Sequence, residues 1–532
     1  MKSRHVDCSK ADQALANGHP KLAIDLYQKI LKKAPTHYAA KSNLGLAYFH
    51  LGQYETALKI FEELYVKHPE DPAILNRVGV TNLKLGVVDK AESLLLKASS
   101  IDPKRFETWI NLCYVAGVLR QFKEGMIYAM RAVEIDPKNQ EAYINLGAAL
   151  MSLGNYDAAL IAFQTVLDLN PNNLLALSNI GSVHSIRSES EKAIRAYEDC
   201  IQRDPTHPHN DQVRFFLSTE YLRHGRLAEG WAMYDYGFGD IGFNSRTPPR
   251  KFSVEKWDGS DIPEQTLMIW REQGLGDEMM FLSCLPEVLP KCKKVIVECD
   301  PRMVTLFQRS FPKATVRPQA YAPAPSFTPV HQDFERHLPA GSLMRFFRNQ
   351  IADFKKSKPY LVADPTLVAR YKNRLGSDHS RLRVGICWRS GLMDTQRNAN
   401  YAPLSDWQAI LNNPNCVFVN LQYGDCKTEL ENAQHEFNTY INHWPDVNLK
   451  NDLEDVAAII AGLDLVIAAG TAVAQMAGAL GVPVFMFTPK NSWTNLGQDY
   501  YPWYPNISLF TFENNQPKEA LDAIAVELSK RQ

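Results

Sequence analysis

Residues 138–171 read KNQEAYINLGAALMSLGNYDAALIAFQTVLDLNP, and this 34-residue unit decides the fold of the N-terminal half. Its closing proline recurs every 34 residues, at Pro35, Pro69, Pro103, Pro137, Pro171 and Pro205. Small residues stand 24 positions before each proline after the first and 12 positions before all six, and an aromatic ring stands eight positions before four of the six. Small residues let two helices approach closely, and proline ends a helix because it lacks the N–H donor. The period therefore predicts a stack of helical hairpins in which each repeat packs on its neighbours.

This pattern resembles the tetratricopeptide repeat over residues 1 to about 205. A divergent helix pair, predicted at 212–223 and 227–238, follows the last proline and is interpreted as a capping repeat. We therefore predict an α solenoid of tetratricopeptide repeats over residues 1–240. A linker is predicted over 241–263, where proline, serine, glycine and charged residues concentrate.

An amide ladder accompanies the repeats. The same repeat position carries asparagine at Asn43, Asn111, Asn145 and Asn179. In tetratricopeptide arrays the first helix of each repeat lines a concave groove, and the array is similar to that of O-GlcNAc transferase, whose groove carries such a ladder. The resemblance implies that these amides hydrogen-bond the backbone of an extended protein or peptide acceptor without demanding a sequence. The alternative is that each asparagine bonds the neighbouring helix and stabilises stacking.

After about residue 240 the period ends, and short apolar runs alternate with helical stretches. Such alternation predicts α/β structure with parallel sheets covered on both faces. Strands are predicted at 266–270, 294–298, 315–317, 383–388, 417–421, 465–468 and 484–487, and residues 319–340 are predicted to be irregular. Two Rossmann-like lobes, 264–365 on the acceptor side and 366–532 on the nucleotide-sugar side, would form the architecture called GT-B. A ligand would lie in the cleft at the carboxyl ends of the strands.

Composition excludes several classes of protein. The 532 residues include 58 Lys and Arg against 59 Asp and Glu, so bulk positive charge does not hold nucleic acid. The longest apolar run, 456–469, is interrupted by Asp464 and is too short to span a membrane. The N-terminus has no apolar signal segment, and the nine cysteines contain no CxxC pair. We therefore predict a soluble protein of a reducing compartment, the cytoplasm.

The first candidate site follows the first predicted strand, in the sequence Glu-Gln-Gly-Leu-Gly-Asp at 272–277. Gly274 and Gly276 permit a tight turn and close approach of the backbone to a ligand. Met279 stands where a dinucleotide-binding fingerprint needs a small residue, which argues against NAD. The alternative is a tight turn with an acidic residue at a helix N-terminus.

Two further candidates follow strands of the second lobe. Residues 469–475 place Thr471 and the N–H groups of a helix N-terminus where they can hold a nucleotide diphosphate, although close helix–sheet packing also explains the small residues. Arg389 and Arg397 follow the strand at 383–388 and can neutralise phosphate, unless they are only solvated surface residues. Gln422 ends the next strand and is expected to face the same cleft.

These blocks, in this order and followed by Tyr-Pro-Trp-Tyr-Pro at 501–505, resemble bacterial tetratricopeptide-repeat glycosyltransferases. Their catalytic half is similar to the heptosyltransferases and, more distantly, to O-GlcNAc transferase, and some modify flagellin. The resemblance implies that Asp277 is the general base for the acceptor hydroxyl. It assigns donor binding to Arg389, Arg397, Gln422, Thr471, Ala472, Val473 and Gln475. Because the C-terminal half has no DxD motif, neither a metal nor another cofactor is expected, and a flagellin-like protein is one candidate acceptor.

Two positions depart from the family pattern. The family usually has Asp where this chain has Gly470 and His where it has Gln475, and glutamine can donate a hydrogen bond to phosphate but carries no charge. We therefore predict a metal-independent glycosyltransferase that transfers a sugar from a nucleotide-sugar donor to a Ser or Thr hydroxyl of a protein held by the repeats. The alternatives are a non-catalytic protein-interaction scaffold with a degenerate transferase domain and a transferase acting on lipid-linked sugar or polysaccharide.

Overall fold

The computed structural model describes residues 7–238, 250–322, 328–376, 380–391, 400–513 and 516–531. Contacts divide the chain into two compact units, Met1–Arg203 and Asp204–Gln532. The described part of the first unit is helical, and the second combines a helix pair with two parallel sheets.

The first unit confirms the tetratricopeptide-repeat solenoid. Its helices are α1 (Ser9–Ala16), α2 (Pro20–Lys33), α3 (Tyr38–His50), α4 (Tyr54–Lys67), α5 (Pro72–Lys84), α6 (Val88–Ile101), α7 (Phe106–Leu119), α8 (Phe122–Ile135), α9 (Gln140–Ser152), α10 (Tyr156–Leu169), α11 (Leu174–Ile186) and α12 (Ser190–Arg203). From α3 to α11, each odd-numbered helix packs on the even-numbered helix after it, and from α3 to α9 each also packs on the next odd-numbered helix. The first helices of successive repeats are therefore neighbours.

The small and large residues of a repeat face each other. Gly147 of α9 lies against the ring of Phe163 of α10, so that a methyl group on the glycine would overlap the ring. The same pairing joins Gly45 to Phe61 and Gly181 to Tyr197. Where cysteine replaces this glycine, at residue 113, the ring position eight residues before the closing proline is an alanine, at residue 129. Volume added on one helix is thus removed from its partner.

One turn position repeats a left-handed backbone. Gly18, Gly52, Gly86, Arg120, Gly154 and Ser188 stand 34 residues apart, and each has φ between 58° and 80°. Glycine adopts this conformation freely, whereas a side chain there costs on the order of 1 kcal/mol. Arg120 and Ser188 are therefore strained members of an otherwise glycine-based turn.

The second unit begins with α13 (His209–Arg223) and α14 (Leu227–Tyr234). The sequence assigned this pair to the solenoid, within residues 1–240, but contacts place it after the division at Arg203. Trp231 is buried, and its ring meets those of Trp493 and Trp503 edge-on. Part of the apolar face of the pair is thus covered by Trp493 and Trp503, more than 250 positions away, which the repeat pattern does not reveal.

The first lobe is built on a four-stranded parallel sheet in the order β3-β2-β1-β4. Its strands are β1 (Ile262–Trp270), β2 (Cys292–Cys299), β3 (Thr315–Pro318) and β4 (Arg336–Pro339), and its helices are α15 (Leu275–Leu282), α16 (Leu285–Val288), α17 (Val304–Ser310) and α18 (Met344–Phe347). Three of the strands were predicted, whereas β4 lies in the stretch predicted to be irregular. β4 is four residues long, Arg-His-Leu-Pro, and contains a single aliphatic residue, so it presents no apolar run.

The described end of the predicted linker packs on this lobe. Arg250 and Trp257 are buried, and the backbone N–H of Trp257 donates to the carbonyl of His337 in β4 at 2.9 Å. Residues 250–261 therefore line the edge of the first lobe, and 241–249 lie outside the described residues.

The second lobe is built on a six-stranded parallel sheet in the order β10-β9-β8-β5-β6-β7. Its strands are β5 (Leu382–Cys387), β6 (Cys416–Asn420), β7 (Ile441–Asn442), β8 (Leu465–Ala469), β9 (Val484–Pro489) and β10 (Ile507–Phe512). Its helices are α19 (Pro365–Arg374), α20 (Gln408–Leu411), α21 (Lys427–Phe437), α22 (Leu453–Ala461), α23 (Ala472–Leu480) and α24 (Pro517–Ser529). The four strands predicted here are present, and the two edge strands, β7 and β10, were not predicted.

Both sheets reverse their strand order once, between β1 and β4 and between β5 and β8. In open parallel sheets the carboxyl ends at such a reversal form the usual crevice for ligands. All nine cysteines are unpaired. Within the described ranges, no helix combines the length and the apolar character needed to cross a membrane.

Candidate functional site

The turn after β1 lies at the reversal point of the first sheet. Glu272 is buried and accepts a hydrogen bond from the backbone N–H of Gly341, which follows β4, at 2.6 Å. The backbone N–H of Gly274 donates to Oδ2 of Asp277 at 3.1 Å, and Gln273 has φ of 60°. Asp277 is therefore a half-buried carboxylate in the first turn of α15, fixed to the carboxyl edge of the sheet.

Behind this turn lies a buried ionic cluster that the sequence analysis missed. Glu278 accepts from the backbone N–H of Asp300 at 3.2 Å, and its Oε2 lies 3.4 Å from Nε of Arg271. Arg271 also pairs with Asp300 at 3.0 Å. Burial raises the pKa of Glu278 to about 8. The only sequence signal was the adjacent acid after Asp277, because Asp300 reaches the cluster from the end of β2.

The turn after β8 lies at the reversal point of the second sheet. Thr471 precedes α23, is nearly buried, and makes no side-chain hydrogen bond to cap the helix. Its Oγ1 lies 3.7 Å from Sγ of Cys387, at the end of β5. The backbone N–H groups of Ala472 and Val473 therefore begin a helix without a side-chain cap, where the helix dipole favours an anion.

The two turns meet. A methyl group on Gly276 would lie 3.3 Å from Cγ of Gln475 and 3.6 Å from Cα of Ala472. The first turn of α15 thus packs directly on the first turn of α23. The structure brings the predicted base, Asp277, and the predicted diphosphate-binding turn to one place between the lobes.

Gln475 is engaged within the protein. Its Nε2 donates to the hydroxyl of Tyr501 at 2.7 Å, and that hydroxyl donates to Sδ of Met280 at 3.1 Å. Its Oε1 is buried and has no hydrogen-bond partner. The glutamine thus connects α23 of the second lobe to α15 of the first.

Arg389 is paired with an acid. Its Nε lies 3.1 Å from both carboxylate oxygens of Glu429, and its Nη2 donates to the carbonyl of Asp425 at 2.7 Å. The hydrogen bond to Glu429 raises the pKa of Arg389. Its charge is therefore compensated inside the lobe. Arg397 lies outside the described residues.

Gln422 holds the loop after β5. Its Oε1 accepts from the backbone N–H groups of Trp388 and Arg389 at 3.1 and 2.9 Å. Its Nε2 donates to the carbonyls of Arg389 and Tyr423, each at 3.0 Å. Both the oxygen and the nitrogen of this fully buried amide are hydrogen-bonded within the protein, so Gln422 holds the loop that forms the edge of the crevice.

The amide ladder of the repeats divides into two halves. In the N-terminal half, Asn43 donates to Asp12 at 3.0 Å and accepts from Arg77 at 3.5 Å. Asn111 donates to Asn76 of the preceding repeat at 3.1 Å. These two amides bond neighbouring helices, as the stacking alternative predicts.

In the C-terminal half the amides are not used in this way. Nδ2 of Asn145 is buried and has no hydrogen-bond partner. Asn179 is half-buried, and no described residue hydrogen-bonds to its side chain. The asparagine side chains of the ladder that donate no hydrogen bond within the described residues thus lie on α9 and α11.

Comparison with protein families identifies tetratricopeptide repeats at residues 8–72, 51–105 and 141–173. The N-terminal half is therefore a tetratricopeptide-repeat region.

Among individual proteins, the chain is similar to Protein FlbA of Caulobacter vibrioides, with 35% identity over 331 residues. The match covers 60% of this chain and 55% of FlbA, so the chain spans about half the length of that relative.

Two solved structures are also similar. A tetratricopeptide repeat protein from Parabacteroides merdae has 15% identity and a TM-score of 0.38, covering 44% of this chain and 91% of its own. MamA from Desulfovibrio magneticus RS-1 has 20% identity and a TM-score of 0.30, covering 31% and 94%.

Proposed function

We propose that the chain is a glycosyltransferase that moves a sugar from a nucleotide-sugar donor to a Ser or Thr hydroxyl of a protein acceptor. One observation carries the proposal: the turn of Asp277 lies against the uncapped first turn of α23, with Gly276 in contact with Ala472. A carboxylate and an anion-binding helix end, held together at the reversal points of two parallel sheets, are what such a transfer requires.

The proposed step is a displacement of the diphosphate from the anomeric carbon by the acceptor oxygen. The acceptor oxygen forms a bond to the anomeric carbon, and the bond from that carbon to the diphosphate breaks. Asp277 takes the hydroxyl proton, and the leaving diphosphate keeps the bonding electrons. The N–H groups of Ala472 and Val473 and the hydroxyl of Thr471 stabilise the charge on the leaving group, so that no metal is needed.

The diphosphate of the donor carries a charge that an arginine side chain must help to neutralise. A helix N-terminus contributes roughly half an elementary charge, which is less than a diphosphate carries. Because Glu429 compensates Arg389, we assign the remaining compensation to Arg397 and a positional role to Arg389. The GT-B architecture and a cytoplasmic location belong to the same proposal, and nine unpaired cysteines support the latter.

The acceptor is proposed to be a protein segment, of flagellin-like or other origin, held by the repeats. The half-buried side chain of Asn179, which no described residue hydrogen-bonds, supports this assignment, whereas the unpaired Nδ2 of Asn145 lies buried. We expect alanine at either position to raise the KM for the protein acceptor and to leave donor hydrolysis unchanged. Alanine at Asn43 is the contrasting variant, since that amide is already bonded to Asp12.

The proposal is tested by incubating the purified chain with a panel of nucleotide sugars and candidate acceptors. Released nucleotide diphosphate and the mass of the acceptor are measured. We expect Asp277→Asn to lower turnover by roughly 10²–10⁴-fold. Asp522→Asn, an exposed change on α24, is the matched control and keeps full turnover. Equal turnover in the two variants would contradict the role of Asp277.

A second candidate function is a non-catalytic protein-interaction scaffold. The pairing of Arg389 with Glu429 and the engagement of both sides of Gln422 favour it, because both remove groups assigned to the donor. It predicts no heat of binding in calorimetry with any nucleotide sugar. Binding of one donor with slow hydrolysis would instead support the transferase.

A further inference from the structure

A buried chain of side chains crosses between the two lobes beside the candidate site. It runs from Gln475 on α23 through the hydroxyl of Tyr501 to the sulfur of Met280 on α15. Gln475 and Tyr501 are both more than nine-tenths buried. The chain ends on the helix that carries Asp277 in its first turn.

The position of each hydrogen-bonding group limits what Gln475 can do. The Tyr501 hydroxyl donates to Met280, so the amide of Gln475 supplies the donor between the glutamine and the tyrosine. The amide carries two N–H groups, and the one directed at Tyr501 can reach a phosphate only if that buried hydrogen bond is broken. The cross-lobe connection therefore occupies one of the two donors of Gln475.

Packing supports the connection independently of the hydrogen bonds. Gly276, the residue before Asp277, leaves only 3.3 Å between a methyl group placed on it and Cγ of Gln475. The glutamine stem therefore fills the space directly beneath the turn of the base. A shift of this side chain would move or release that turn, because packed interiors leave little free volume.

We propose that Gln475 and Tyr501 are positioning residues, which hold the first turn of α23 against α15 and thereby set the place of Asp277 over the donor site. The catalytic consequence rests on the proposed function, whereas the coupling between the two helices does not. This assignment replaces the expectation that Gln475 binds the donor phosphate.

Hydrogen exchange followed by mass spectrometry tests the coupling without any ligand. Tyr501→Phe removes only the hydroxyl, and Gln475→Met removes the amide while keeping the length of the side chain. We expect exchange across residues 275–282 to be about 2- to 10-fold faster in both variants, as expected for the loss of one buried hydrogen bond. Tyr500→Phe is the matched control, because Tyr500 is 48% exposed beside the buried tyrosine.

Exchange in Tyr501→Phe and Gln475→Met that equals the Tyr500→Phe control would overturn the proposal. If Tyr501→Phe is too unstable for the measurement, Gln475→Met decides, since it keeps the tyrosine intact.

Kinetics separate positioning from ligand binding. We expect both variants to lower kcat by about 2- to 10-fold and to leave the KM for the nucleotide sugar within about 2-fold. A raised KM with an unchanged kcat would instead assign Gln475 to the donor and overturn the proposal. Faster exchange in the variants together with no turnover or nucleotide binding by the wild type would retain the coupling and reject the proposed transferase.

Discussion

The repeat unit and the α/β unit bury their apolar residues in different ways. In the first unit the buried residues form separate small clusters, each confined to a few neighbouring helices, such as the cluster around Phe163. In the second unit a large cluster runs from Leu222 of α13 through both lobes to Ile507 of β10, and two further clusters lie within the lobes. A repeat is therefore specified by residues close to it in sequence, whereas a residue of the α/β unit depends on partners hundreds of positions away.

The test with the largest expected effect on stability concerns α14, whose sequence resembles a repeat helix but whose side chains pack within the α/β unit. We expect Trp231→Ala to destabilise the second unit by about 3–5 kcal/mol, because it empties a buried site that is lined by other aromatic rings. Differential scanning calorimetry would show a lower transition temperature for that unit.

Trp109→Ala is the contrasting variant, since Trp109 is partly buried within the repeats. We expect it to lower the transition of the first unit. If Trp231→Ala lowers that same transition, then α14 belongs energetically to the solenoid and the boundary at residue 240 is the better one.

The second test uses pH, because the buried acid Glu278 lies in the α/β unit. Its pKa is raised from 4.5 to about 8, so folding takes up a proton at this carboxyl and stability falls as pH rises from about 4.5 to about 8. Glu278→Gln cannot ionise and lacks this loss. We expect the variant to be more stable than the wild type at about pH 8.5, by on the order of 3 kcal/mol, and similar to it near pH 4.

Chemical denaturation at several pH values measures this difference. Glu264→Gln, an exposed change on β1, is the control and should follow the wild-type pH dependence. A Glu278→Gln curve parallel to the wild type would show that Arg271 keeps Glu278 charged in the folded state.

The third test stays within one repeat. Gly147→Ala places a methyl group into the ring of Phe163, and we expect a loss of about 1–3 kcal/mol from the first unit alone. Gly117→Ala is the matched change, because open space surrounds Gly117 in helix α7. It should stabilise the same unit by about 0.5–1 kcal/mol through helix propensity. Equal effects in thermal unfolding would contradict the interlocking of small and large residues.

The smallest effect is expected at the repeated turn. Arg120→Gly relieves a left-handed backbone with φ of 58°, and we expect a gain of about 0.5–1 kcal/mol in the first unit. The reciprocal change, Gly154→Ala at φ of 80°, should destabilise it by a similar amount. Denaturant titration of both variants checks the pair, and a loss of stability in Arg120→Gly would mean that the arginine side chain makes a compensating contact.

Much of the fold follows from local patterns, and the missed elements have a shared cause. The repeats and the buried strands were predicted because their spacing and apolar runs are complete within a few dozen residues. The edge strands β7 and β10 were missed, since one has two residues and the other alternates only weakly. Those elements depend on pairing with a strand already in place.

The candidate site shows the same limit. The turns at Asp277 and Thr471 could be identified as strand-to-helix turns, but not that they would meet through Gly276 and Gln475. The pairing of Arg389 with Glu429 spans 40 residues and has no sequence signal. Likewise, nothing in the period distinguishes Asn43, which is bonded, from Asn145, which is not.

The sequence by itself therefore determined the solenoid, the parallel α/β character of the second half and the positions of the candidate turns, because backbone periodicity and helix ends are local properties. Only the tertiary structure decided where α13 and α14 belong, which charges are already compensated and which amides have partners. Those outcomes depend on hydrogen-bonding and packing partners brought from distant segments, and the free energy of a buried polar group is set by such partners rather than by its neighbours in sequence.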